Sequence, residues 1–266
     1  MSERWQDLTS VELSKAIHAD SVAVLPLAAI EQHGAHLPLS TDLDIAEGLL
    51  ASAVAALPED FPLLVLPPMS VGASHEHAGF PGTLSLPPGV AIAVIEAYGD
   101  SLSRAGVRRL VLLNSHGGNK AVADIAALKL RERWGMLVVK ANYFRFAAPA
   151  QALPVDELRH GLHGGALETA MMLHLAPHKV RREHLDHPPS RGEAMARQGL
   201  TLGPEGEAAF AWLAEDLHPG GVVGDARLAN AELGERLVSH YGATLATVIS
   251  ETRAMDIDDF EARFQK

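Results

Sequence analysis

The feature that most restricts this chain is an alternation of short apolar runs with longer amphipathic stretches. "SVAVLPLA" (21–28), "LLVLP" (63–67), "VRRLVLLN" (107–114) and "MLVVKAN" (136–142) have the length and branched aliphatic content of buried strands. Helical periodicity fills 42–57, 88–105 and 118–133, and returns at 166–176, 205–216 and 226–253. Strand, covering helix, strand is the signature of an α/β protein with a parallel sheet, and each early helix is long enough to cross a sheet face. Residues 177–203, "PHKVRREHLDHPPSRGEAMARQGLTLG", lack apolar periodicity and carry several breakers, so they read as a long excursion or a subunit-contact arm. No internal repeat or low-complexity tract divides the chain, and one domain over 1–266 is expected.

Composition narrows the chemistry. There is no cysteine, so disulfides and thiolate ligands are excluded and any metal must be held by imidazole and carboxylate, which suits zinc, manganese, iron or nickel. A net charge of −11 supplies none of the clustered Lys and Arg that nucleic acid requires. No apolar run approaches the roughly 20 residues of a membrane helix, and "MSERWQDLTS" lacks a signal-peptide core, so a cytoplasmic protein with no membrane partner is expected.

Three clusters of ligand-type residues follow strand or loop ends. In "EQHGAHLPLSTD", Glu31 and His33 stand two apart just after the first strand, where extended backbone sends both side chains one way. Asp42 opens the next helix, where the positive end of the helix dipole steadies a carboxylate, and Asp44, three residues after Thr41 as N-cap, reads as a capping residue. His36 is open between a ligand, a hydrogen-bond partner of the ligands, and a loop histidine bonded to backbone. His116, in "NSHGGN", stands at the carboxyl end of another strand, where parallel sheets bind their ligands; it meets Glu31 and His33 if the two strands are neighbours. In "HGLHGGALETAMMLHL", His163 and Glu168 would point about 140° apart on one helix, at roughly 3.6 residues per turn. Gly164 and Gly165 instead place His163 in a loop and Glu168 in the first helical turns, so that both can face one pocket.

These clusters, with "GASHEHAGFPGTLSL" and "GVVGDARLANAELGERL", resemble in their order the creatininase (creatinine amidohydrolase) family over most of the chain. The resemblance implies a three-layer α/β/α sandwich with a mainly parallel central sheet, two divalent metal ions per subunit, hydrolysis of small-molecule amides, and a homo-oligomer of up to a hexamer. Carried onto this chain, Glu31 and His116 hold one metal, His33 the other, Asp42 bridges them, and His163 is catalytic. Ser74, Glu76, His77 and His36 are then expected to line the substrate pocket. Two departures stand out. The glutamate that binds metal two positions after the "NSHGGN" histidine in creatininase is Gly118 here, for which Glu168 is the replacement ligand or an acid/base partner. The tryptophans that stack on creatinine are missing from "YFRFAAPAQALPVDELRHGLHGG"; Trp5, Trp134 and Trp212 lie elsewhere, and Phe144 and Phe146 are the aromatic residues nearby. The resemblance therefore points to an amide other than creatinine, with a formamide hydrolase, a short-peptide-trimming enzyme or a non-catalytic metal-binding protein as alternatives.

Overall fold

The structure, a computed structural model, describes residues 3–259. Its centre is a parallel five-stranded sheet of order β1-β3-β2-β4-β5, in which β1 is Glu3–Arg4, β2 Val22–Leu27, β3 Leu63–Val65, β4 Arg109–Asn114 and β5 Leu137–Asn142. Every residue of β2 is buried. Its side chains divide between two layers, as a strand covered on both faces must. Val22 and Val24 join Val111 and Leu113 beneath α2 (Thr41–Ala56) and α9 (Ala231–Ala254). Ala23, Leu25 and Leu27 join Leu110 and Leu112 beneath α3 (Pro88–Ala105) and α4 (Asn119–Trp134). The result is the α/β/α sandwich. No helix among the described residues is long and apolar enough to cross a membrane.

The four expected strands and the early helices appear within a few residues of their expected bounds. The two-residue β1 and the short helices α1 (Ser10–Ala16) and α5 (Val155–His160) carry too little periodicity to be seen in advance. The expected helix over 205–216 is overturned. Leu202–Gly203 pairs with Ala208–Ala209, Gly206 takes a φ of +109°, and only Ala214–Leu217 (α8) is helical. The glycines at 203 and 206 and Pro204 break the periodic apolar pattern that suggested a helix. Residues 226–253 divide into a 3-10 turn, Ala226–Leu228, and α9, which starts at an Asn230 N-cap. The 177–203 excursion contains a short helix, α7 (Arg191–Arg197). Asp44 is not a helix cap: it accepts the Ser40 hydroxyl at 2.9 Å and ion-pairs with Lys179 at 2.8 Å, and Ser40 rather than Thr41 precedes the helix.

The helix α6 (Ala166–Leu175) lies against α2 and α9 and completes one outer layer. Its contact with α9 is nearly backbone to backbone, since a Cβ on Gly234 would fall 1.9 Å from the Ala170 carbonyl oxygen. Because α2 carries Asp42 and α6 carries Glu168, this packing sets how far apart those carboxylates stand. Gly234→Ala should force the two helices apart and cost about 3 kcal/mol, the upper part of the overpacking range; chemical denaturation measures it, and an unchanged midpoint would show that the layer yields easily.

Candidate metal centre

In-register pairing of Leu27 with Asn114 makes the chain leave β2 and β4 side by side at the carboxyl edge of the sheet. Glu31 and His33 follow β2, and His116 follows β4. Side chains staple the loops there: Ser115 Oγ donates to the Leu27 carbonyl at 3.2 Å, and Asn119 accepts from the Ala73 N–H while donating to the Ala28 carbonyl, each at 3.0 Å. Asp42 arrives as the second residue of α2, and Glu168 as the third residue of α6. His163 lies before α6, bridged to Val223 through both backbone groups, and Gly164 makes the turn into the helix at φ +64°.

Donor atoms of these residues gather into overlapping groups. Glu31, Asp42 and His116 form one and His33, Asp42 and Glu168 another, each with all three donor atoms within 4.8 Å of one another; Glu31, His33 and His163 form a third. Asp42 therefore belongs to both carboxylate-rich groups. The backbone selects which imidazole nitrogen faces inward. His116 Nε2 meets the Ala73 carbonyl at 3.0 Å, leaving Nδ1 at 3.1 Å from Glu31 Oε1 and 3.5 Å from Asp42 Oδ2. His33 Nδ1 meets the Glu31 carbonyl at 3.1 Å, leaving Nε2 at 3.5 Å from Asp42 Oδ1 and 3.9 Å from Glu168 Oε2. A carbonyl can only accept, so it keeps a proton on the outer nitrogen and turns the inner one toward the carboxylates, as ligand histidines require.

Both carboxylate oxygens of Glu31, His33 Nε2 and Asp42 Oδ2 are the buried side-chain polar atoms without a hydrogen-bond partner among the described residues. Buried polar atoms are ordinarily paired, and four orphans converging in one place fit a cation of N/O preference. Burial disfavours charge on His33 and His116, but the carboxylates around them outweigh it and hold the two pKa values up at about 9 and about 10. A proton and a cation thus compete for the same two nitrogens. Burial, together with Asp42, pushes Glu168 up to about 7 despite His33, whereas in Glu31 burial is overcome by His116, His77 and His163 and the carboxyl is held well below its usual range.

The remaining residues singled out in the sequence surround this cluster. Ser74 Oγ and Glu76 Oε1 approach the outer nitrogen of His116 at 3.3 and 3.4 Å. His77 Nε2 lies 3.4 Å from Glu31 Oε1, and its ring stacks on His163 with centroids 4.1 Å apart. His36 Nε2 is shared between the Gly164 carbonyl and the Thr169 hydroxyl, both at 3.0 Å, which ties the loop of His36 to the start of α6. Gly118 has no room for a side chain: a Cβ would fall 2.3 Å from both the Ala73 carbonyl oxygen and Glu76 Oε1. Sequence reasoning missed Gln32, whose amide holds His77 Nδ1 at 2.9 Å and the Gly221 carbonyl at 3.0 Å. It also missed Tyr143, whose buried phenol lies against Glu168 and is held in its neutral form by burial and by the Glu168 and Asp42 carboxylates. Gln32 sits between two ligand-type residues and could have been noticed; Tyr143 left no signal beyond its place after a strand.

The sequence profile of the creatininase family, described as creatinine amidohydrolase, matches residues 6–249. The mycofactocin precursor peptide peptidase of Mycolicibacterium smegmatis is 32% identical over 229 residues, covering 84% of this chain and 83% of that protein. The creatinine amidohydrolase of Pseudomonas putida is 34% identical over 203 residues, covering 69% and 76%. Among solved structures, one described as "Creatininase Mn" superposes with a TM-score of 0.76 at 26% identity, over 94% of this chain and 98% of that one. With fold, motif order and profile in agreement, the chain belongs to the creatininase family of hydrolases.

Proposed function

We propose that this protein hydrolyses a carbon–nitrogen amide bond with the help of two divalent cations, one held by Glu31, Asp42 and His116 and the other by His33, Asp42 and Glu168. The observation that carries this reading is the set of orphaned donor atoms on Glu31, His33 and Asp42, which point at one another without satisfying one another. Nitrogen and carboxylate donors without sulfur suit zinc, manganese or iron. A cation pair in such a cradle supplies Lewis acidity, polarising a carbonyl and acidifying water near neutral pH.

The chain's own contribution is a proton carrier. His163 Nε2 donates to the Gln32 carbonyl at 2.6 Å, so Nδ1 faces the centre, 3.7 Å from Glu31 Oε1. Burial and the neighbouring His33 and His77 push its pKa well below the ordinary value, so at neutral pH it is a free base. As water attacks the amide carbon, Nδ1 takes a proton. As the C–N bond breaks, the same proton passes to the leaving nitrogen, which an imidazolium of low pKa gives up readily. No residue of the chain needs to act as a nucleophile.

Two substrate classes remain. A small non-peptide amide follows from the family's description. A bond near the end of a short peptide is favoured by the similarity to the precursor peptide peptidase and by a cavity of about 230 Å³ that borders Glu168 and is lined by Tyr143, Phe144, Phe146, Leu153 and Leu162, with room for an apolar side chain. No tryptophan lines that cavity, which disfavours creatinine itself.

Three outcomes are expected. Cation binding should displace protons from His33 and His116, so affinity rises with pH toward about 10. In metal-free protein the raised pKa values stabilise the fold fully below about pH 6.5, the ordinary histidine value. That stability is lost as pH climbs through about 9 and 10. Melting curves with chelator should therefore fall between pH 7 and 10 while cation-loaded curves do not; parallel curves would remove the competition. Next, His163→Ala should keep both cations by elemental analysis and lose about 10²- to 10⁴-fold in kcat, the usual worth of a general acid–base group; undiminished turnover would remove its role. Finally, loaded protein assayed on short peptides, formamides and lactams should turn over at least one class, and inertness toward every one would leave only the binding of metal.

A further inference from the structure

Glu157 stands outside every donor group, yet it is almost completely buried beside the loop that carries His163. Its carboxylate joins two separate backbones. Oε1 accepts the Ala166 N–H at 2.7 Å, and Oε2 accepts the Asp225 N–H at 2.8 Å. The first bond caps α6 from outside, because the residue before the helix, Gly165, has no side chain with which to cap it. The second fixes the 221–225 segment, which pairs with His163 through Val223 at 2.8 and 3.1 Å. Three glycines make way for this carboxylate. A Cβ on Gly161 or Gly165 would fall 2.5 Å from Oε1, and one on Gly224 2.9 Å. Their recurrence in "HGLHGG" and "VVGD" is thus explained by one buried acid.

We infer that Glu157 is a positioning residue that serves one of the two cations and not the other. This rests on the two-cation reading above. Glu31, Asp42 and His116 are presented by the loops after β2 and β4 and by α2, none of which Glu157 bonds. Glu168 is presented by the first turn of α6, and its Oε2 also accepts the Gly164 N–H at 2.6 Å, so its position follows the 164–166 backbone that Glu157 pins. Loosening the pin lets Glu168 swing away from His33 and Asp42 and leaves the Glu31–Asp42–His116 group intact.

The test is a cobalt(II) titration of chelator-stripped full-length protein, read by the visible ligand-field bands, together with amide hydrogen exchange on the metal-free chain. Glu157→Gln keeps the size of the side chain but turns an NH₂ group toward one of the two backbone donors. It should leave one cobalt Kd within about twofold of wild type and weaken the other about tenfold or more, as loss of a group that orients a ligand does elsewhere. Amides of 164–168 and 223–225 should exchange faster, with 28–33 and 114–118 unchanged. Gly165→Ala, which pushes on the carboxylate without altering its charge, should reproduce the split and separates position from electrostatics. Equal weakening of both Kd values, or no weakening, overturns the inference. If wild type takes up fewer than two cobalt ions, the two-cation reading and the selective role fail together, whereas selective loss of amide protection still reports the clamp; uniform or absent loss of protection refutes the clamp itself.

Discussion

Two buried carboxylates, Glu31 and Asp42, and the partly buried Glu168 share one small space with His33 and His116. In a low-dielectric interior such a gathering is unfavourable unless positive charge offsets it. The protonation pattern follows from this: the two histidines are held basic at about 9 and about 10, and Glu168 is pushed up to about 7. The same strain makes the cluster a cation trap, because a divalent ion offsets more charge than a proton at the same nitrogen. What surrounds the cluster keeps its donors from relaxing apart.

That restraint comes from backbone more than from side chains. Carbonyls of Ala73, Glu31 and Gln32 hold the outer nitrogens of His116, His33 and His163, so each imidazole turns a defined nitrogen inward. The carbonyls are in turn fixed by the parallel sheet edge and by the asparagine and serine staples between its loops. The helical layer supplies the other half, since the near-contact of Gly234 with Ala170 and the Glu157 bonds set where α6 begins. The design places rigid elements on two sides of a cavity and lets short loops carry the chemistry, a common arrangement at the carboxyl ends of parallel strands.

Much of this was legible in the linear chain where its signals are local. Glu31, His33 and Asp42 lie within fifteen residues after the end of a strand, and the strand–turn–helix around His116 marked the matching edge. The glycines after His163 correctly separated its loop from the helix of Glu168. Reading failed where a local pattern had a different cause. The apolar spacing of 205–216 imitated a helix that Gly203, Pro204 and Gly206 prevent, and Asp44 looked like a cap although Lys179, 135 residues distant, is its partner. Glu157 had no distinguishing context at all, because its partners are backbone groups at 166 and 225 that nothing nearby announces.

By itself the sequence determined the alternating layers and the ligand types: periodicity and side-chain chemistry are properties of neighbouring residues, and they survive in any arrangement of the chain. Only the tertiary structure decided that β2 and β4 are adjacent, that Asp42 is shared by two donor groups, and which nitrogen of each histidine faces inward. Those depend largely on hydrogen bonds and packing between segments far apart in the chain, with 87 residues between the paired Leu27 and Asn114 and 131 between His163 and the Gln32 carbonyl, and so they exist only once the sheet edge and the helical layer have closed around one another.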